Sequence, residues 1–241
     1  MAISFVDSAF AVSSGNGTSI NVTVPAHNAD DLIILYFVSD GNSEVHTITD
    51  DLTSSLTFTV QGGRGDEGIT TSWRWALATS ESSTGFVITF TVGSSESQVI
   101  IVGIFRGVDT IDPTGVQLTG KSVSDQTPSL GAPGGQTANS WHVVGMAMDR
   151  DSVTVDGTFP TNLTGLFAKR DTGQAASQCG CVLGYDTTAT DPDVYTWPSQ
   201  DRADGSHITI VEILEAVALD NSLPIFPVKR NMMEMNANLR R

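Results

Sequence analysis

The sequence predicts an all-β protein: two tandem jelly-roll-like sandwiches followed by a chemically distinct C-terminal tail. Three observations carry this. Short apolar runs are separated throughout by Gly, Asp, Ser and Thr, the punctuation of a strand-rich domain and not of a helical one. Alternation is plain in Ile20-Asn21-Val22-Thr23-Val24 and in Phe86-Val87-Ile88-Thr89-Phe90-Thr91-Val92, which turns one side of each run toward a core and the other toward water. The chain also repeats itself once. A shift of 109 positions carries Leu32-Ile33-Ile34 onto Trp141-His142-Val143, Asp40 onto Asp149, and Ser97-Gln98-Val99-Ile100-Ile101-Val102 onto Ser206-His207-Ile208-Thr209-Ile210-Val211.

The first repeat occupies residues 1–110, with strands predicted at 3–6, 10–12, 20–24, 32–38, 45–48, 56–60, 72–78, 86–92 and 98–105. Val99-Ile100-Ile101-Val102-Gly103-Ile104-Phe105 is apolar throughout, so it is expected in mid-sheet with both faces covered. The glycine-rich stretch 61–68 reads as a flexible hairpin tip. Gly107-Val108-Asp109-Thr110-Ile111-Asp112-Pro113-Thr114-Gly115, with its Asp-Pro step, marks the link between units. The second repeat, 116–215, starts loosely, because the prolines and glycines of 127–135 exclude regular central strands. It recovers at 141–148, 163–169, 179–185, 194–197 and 207–214, with longer loops and fewer strands.

Residues 216–241 form the tail. Positions 215–222 allow a helical turn or two, and Leu223-Pro224-Ile225-Phe226-Pro227-Val228 must be extended because two prolines fix it. The remainder is rich in Met and Arg. One reading is a docking arm in which Leu223, Ile225, Phe226, Val228, Met232, Met233 and Met235 adapt to a partner groove. Lys229, Arg230, Arg240 and Arg241 would pair with its acids. The other is a frayed end, or a helix packed on its own sandwich.

Length and composition set limits. At 241 residues the chain suffices for one large or two modest domains. Lys and Arg number 12 against 27 Asp and Glu, a formal charge of −15, which repels a phosphate backbone and excludes direct nucleic-acid binding by the folded body. Such acidity suits a surface facing outward from a nucleic-acid-filled particle. The N-terminus has neither a basic n-region nor a long apolar run, so synthesis in the cytosol and no membrane partner are expected. Cys179 and Cys181 lie two apart, on one face of one strand, where a bridge is geometrically poor; they are expected as reduced core thiols. Without export, the sequons at Asn16, Asn21 and Asn162 are chance matches in a Thr-rich chain.

No catalytic constellation is visible. The chain lacks a Gly-x-Ser-x-Gly elbow and a His-Glu-x-x-His helix, and its histidines, His27, His46, His142 and His207, are scattered. His142 and His207 fall in predicted strands and read as structural. The paired carboxylates Asp30-Asp31, Asp50-Asp51, Asp149 with Asp151, Asp191 with Asp193, and Asp201 with Asp204 read as turn formers that bond their own backbone. A calcium loop over 186–193 has the oxygens but not the EF-hand spacing. Arg64-Gly65-Asp66 matches an adhesion tripeptide by accident. Trp73 with Trp75, and Tyr195 with Trp197, share strand faces and are expected to fill the cores. No catalytic, cofactor or metal residue is therefore assigned.

The segments Ala26-His27-Asn28-Ala29-Asp30-Asp31-Leu32-Ile33-Ile34-Leu35-Tyr36-Phe37-Val38-Ser39-Asp40-Gly41-Asn42, then 73–78, then Val102-Gly103-Ile104-Phe105-Arg106-Gly107-Val108-Asp109, resemble β-sandwich virion proteins of tailed bacteriophages. In that group a small-x-x-Asp-Leu-hydrophobic strand and a closing hydrophobic-Arg-Gly-Val strand recur. The resemblance spans most of 1–215 and leaves out the Met-rich tail. It implies a non-enzymatic virion structural protein of the capsid decoration or cement type, assembled in the host cytoplasm. It would be homo-oligomeric, as a trimer, and partnered by the major capsid protein or other virion proteins. The alternative is a tail or fibre protein that binds host surface glycans through loop aromatics and aspartates.

Overall fold

The computed structural model describes residues 2–13, 15–41, 45–66, 68–125, 127–149, 159–170, 179–187, 194–197 and 204–216. Within them the chain is all-β. Strands β1 (Ser4–Val12), β8 (Gln98–Arg106), β3 (Leu32–Asp40), β6 (Ile69–Leu77) and β5 (Thr59–Asp66) form one antiparallel sheet in that order. Strands β2 (Gly17–Val24), β7 (Phe86–Glu96) and β4 (Thr47–Asp50) form a smaller sheet over one of its faces. The second half repeats the plan. Strands β9 (Thr114–Asp125), β15 (Asp204–Ile213), β11 (Trp141–Asp149), β13 (Cys179–Asp186) and β12 (Thr164–Arg170) make the second large sheet. The short pair β10 (Ser129–Gly131) and β14 (Val194–Thr196) covers its far side. Under the 109-residue shift β3 coincides with β11 at both ends, and the order β1-β8-β3-β6-β5 becomes β9-β15-β11-β13-β12.

The two large sheets pack on each other, so the molecule is one stack of four layers with three cores. Even-numbered Leu32, Ile34, Tyr36 and Val38 of β3 enter the central core with Val143, Ala147, Cys181, Leu183, Val211 and Ile213 from the other half. Odd-numbered Ile33, Leu35 and Phe37 enter a separate core against β2 and β7. Val144, Met146 and Met148 of β11 do the same against Tyr195 and Trp197. The uninterrupted apolar runs of β3 and β8 thus arise in antiparallel sheets, each covered on both faces because a second sandwich supplies the outer layer. Both sheets' register is consequently pinned, since a one-residue slip would exchange the contents of two cores.

The stacking order is that of a dimer fused into one chain. β8 lies over β13, β6 over β15, β1 over β12 and β5 over β9, with β3 and β11 meeting at the middle. A pseudo-twofold axis therefore passes between β3 and β11, where a residue confronts its own counterpart, as in any isologous contact. Tyr36 and Gly145 are such counterparts. A Cβ on Gly145 would lie 2.8 Å from the Tyr36 ring. Two tyrosines would collide there and two glycines would leave a void, so the fused chain places the whole volume on one side. Away from the axis the halves have also diverged. On the β8/β13 side Phe5 and Trp141 stack on Tyr185 at 5.4 and 5.3 Å, with Phe105 edge-on. On the β6/β15 side the contact is polar: the Tyr36 hydroxyl donates to the His207 carbonyl at 3.3 Å, and the Thr71 hydroxyl meets His207 Nδ1 at 3.5 Å.

Two readings from sequence are corrected. The stretch read as a hairpin tip, 61–68, is strand as far as Asp66: Gly63 pairs with Ser72, Arg64 with Thr71, Gly65 with Thr70 and Asp66 with Ile69, which makes β5 an edge strand. The segment after the linker is not loose either, because β9 runs for 12 residues along β15. The linker is itself anchored, with the Asp109 amide donating to the Leu214 carbonyl and the Ala216 amide to the Gly107 carbonyl, both at 2.9 Å.

Replacing Gly145 by Ala should cost about 1–3 kcal/mol through overpacking, and in a Tyr36→Leu background that cost should shrink. A double-mutant cycle by urea denaturation measures it; additive effects would show that the two positions do not share the axis.

Candidate functional site

The residues best equipped for chemistry are mostly committed to the frame. Asp30 and Asn139, counterparts under the repeat, precede β3 and β11 and are both left-handed, at φ 66° and 65°. Asp and Asn tolerate that conformation because their side chains bond locally. At this corner in the first half, Asp31 is buried and takes a bidentate pair from Arg106 at 2.7 Å, while accepting the Asn28 amide at 2.7 Å. In the second half Asp31 becomes Ser140, and the carboxylate comes from Glu212, where the first half has Gly103. Glu212 accepts the Thr137 amide, counterpart of Asn28, at 2.6 Å and the Val116 amide at 3.0 Å. Burial pushes the Glu212 carboxyl up, but the donors of Thr137, Ser140 and Val116 outweigh it and hold the group below the ordinary value near 4.5.

The other sequence candidates fall as follows. His142 is buried with its Nδ1 2.8 Å from the Tyr195 hydroxyl, which donates to Asp186 at 3.2 Å. His207 is buried in the central core, 3.5 Å from the Thr71 hydroxyl, and His27 contacts the Pro25 carbonyl at 2.9 Å. The structure does not bring the four histidines together. Asp50 accepts the Leu52 and Leu56 amides and Asp51 the Val87 amide, each a loop-holding bond. Trp73 and Trp197 are 0% and 1% exposed, so neither offers a ring to a glycan. Cys179 and Cys181 are free thiols in the central core, and burial pushes the Cys181 thiol far up. Among the described residues no three His, Cys, Asp or Glu side chains gather as a metal site would, and no helix is long and apolar enough to cross a membrane. Asp151, Asp191, Asp193, Asp201 and the docking-arm residues Leu223 to Arg241 lie outside the described residues.

Among the clefts that the described residues leave open, one is lined by two arginines and a histidine. It opens along the β5–β6 hairpin with a volume of about 290 Å³. The edge strand contributes Gly62, Gly63 and Gly65, which have no side chains to close it. Ser72 and Arg74 project into it from the face of β6 opposite Trp73, joined by His46 and Arg64. Arg74 is held in place: its Nε donates to the Ser72 hydroxyl at 3.1 Å and its Nη2 to the His46 carbonyl at 2.8 Å. Burial lowers its pKa. Sequence reasoning missed this site, although one signal was present. Arg64 and Arg74 are two of the only three cations in residues 1–110, and they flank a single turn.

No family model and no curated protein matches the sequence. Among solved structures the chain is similar to one titled "Crystal Structure of the STIV MCP", with 10% identity over 89% of this chain and 96% of that chain and a TM-score of 0.25. A superposition that remote says nothing further about this chain.

Glu212→Gln should destabilise the protein by about 1–3 kcal/mol, because an amide NH₂ then faces backbone donors. The carboxylate's contribution is complete above the unfolded value near 4.5 and is lost as pH falls through the lower folded value. Melts of both proteins from pH 7 to pH 3 should therefore converge at the acid end. The thiols should resist a colorimetric thiol reagent until denaturant is added; rapid labelling of the native protein would contradict their burial.

Proposed function

We propose that this chain is a non-enzymatic structural protein of a virus particle, a capsid decoration or cement subunit of a tailed bacteriophage. One observation carries the reading: the carboxylates, histidines and thiols buried in the described body are spent on holding strands together. Asp31 ties β3 to β8, Glu212 ties β15 to β9 and to the turn before β11, and the His142–Tyr195–Asp186 chain ties β11 and β13 to β14. A four-layer block built this way suits a part that bears load and presents surface. The phage resemblance of residues 26–42, 73–78 and 102–109 supports the setting, and the −15 charge suits a position outside packaged nucleic acid. On this reading the subunit assembles as a homotrimer on the major capsid protein, and symmetry multiplies individually weak contacts. The tail, residues 216–241, would supply the docking arm.

Placement on the shell rather than the tail is decided by copy number. Quantitative mass spectrometry of purified particles made by the encoding genome should find hundreds of copies. A dozen or fewer would move the protein to the tail or fibre, and none would end the virion reading. A chain shortened to end at Ser222 should lose incorporation; equal incorporation would refute the docking arm.

A further inference from the structure

We infer that a second cleft, between the segments leading into β3 and β7, binds a small zwitterion: a molecule the size of a free α-amino acid that carries both a carboxylate and an ammonium group. The inference does not depend on the virion role.

The cleft has a volume of about 230 Å³ and is lined by His27 and Asn28 before β3, Glu81 and Ser83 before β7, and Arg106 at the end of β8. His27 and Ser82 clasp its two walls, each amide donating to the other's carbonyl at 2.9 Å. Two opposite charges line this space without meeting. Arg106 gives its Nε and Nη2 to Asp31 at 2.7 Å, and among the described residues nothing takes the other three N–H donors of its guanidinium. Its side chain is 39% exposed. Glu81 is exposed and has no hydrogen bond or ion pair to Arg106 or to any other described residue. A ligand with both charges satisfies both walls at once, its carboxylate on the free guanidinium edge and its ammonium on Glu81.

His27 adds a third contact. It is 7% exposed, and its Nδ1 donates at 2.9 Å to the Pro25 carbonyl, which can only accept. The neutral ring then keeps Nε2 as an acceptor that no described residue fills, and an ammonium has three N–H groups to offer. The balance of charge disfavours simpler ligands. Asp31 lies against Arg106 and Glu81 adds a second carboxylate, so a lone anion gains little, while a lone cation leaves the guanidinium edge unmatched. The volume falls below the range of drug-sized sites and suits an amino acid. The repeat supplies an internal control. A shift of 109 carries His27, Asp31 and Arg106 onto Gln136, Ser140 and Glu215, and the second-half turn is held by Glu212 without an arginine. The joint itself therefore calls for neither the guanidinium nor the imidazole.

The test uses the full chain, with amide chemical shifts followed in titrations of glycine, acetate, methylammonium and glucose. Glycine should shift the amides of 26–28, 81–83 and 106. Acetate and methylammonium, which each meet one wall, should bind about tenfold more weakly or worse, and glucose should cause no shift. Glu81→Gln should weaken glycine about tenfold without weakening acetate. Glu96→Gln, the same change at the far end of β7, should leave glycine binding as it was. Because Glu81 is exposed and unbonded, its replacement leaves the Asp31–Arg106 tie intact, and circular dichroism melts check that both variants fold. Absence of shifts with glycine, acetate or glucose binding as tightly as glycine, or unchanged glycine affinity in the folded Glu81 variant would overturn the site.

Discussion

The packing of one five-stranded sheet on its own counterpart is the constraint from which the other features follow. It requires β3, β8, β11, β13 and β15 to be apolar or tightly bonded on two faces at once, which few antiparallel strands are. It sets their registers, because each strand sorts odd and even side chains into different cores. It also decides what can stand at the axis. Two free copies would have to place identical residues there; covalent fusion lifts that demand, and Tyr36 against Gly145 is the result.

Fusion has let the halves drift while their joints stayed the same. The turn before each central strand needs a left-handed residue and an acceptor for one backbone amide. Asp30 and Asn139 meet the first need alike. The second is met by Asp31 in one half and Glu212 in the other, from different strands. Equivalent geometry from non-equivalent residues explains why the repeat is faint in sequence yet clear in strand order. The aromatic and the hydroxyl-lined margins of the central core are the same kind of divergence.

Much of the fold was legible in the sequence. Alternation marked β2 and β7, unbroken apolar runs marked β3 and β8, and a two-residue spacing placed both cysteines on one face. The core positions of Trp73, Tyr195 and Trp197 followed from strand parity. What escaped did so for physical reasons. β9 carries Gly115 and Gly120 among hydroxyl residues and borders the less apolar side, so it shows little periodicity. The glycines of 62–65 look like a loop because what Gly63 accommodates, the Thr71 carbonyl of the paired strand, lies across the sheet in β6. An apolar run can say that both faces of a strand are covered, but not that the cover on one side is the other half of the same chain. The arginine cleft depends on cross-strand register and on His46 arriving from a separate segment, neither of which one-dimensional spacing contains. The tail residues, singled out for their composition, lie outside the described part of the molecule.

The short antiparallel contact between the segments that follow β8 and β15 has a consequence for how the protein is made. Gly107 and Asp109 take their partners from Ala216 and Leu214, more than a hundred residues later in synthesis. Until those residues leave the ribosome, the first sandwich stands with Leu32, Ile34, Val38, Val99 and Ile101 facing water on its inner side. The nascent first half is therefore a sticky intermediate with a sheet-wide apolar face, and its solubility during translation rests on how soon its own second half, or a chaperone, covers it.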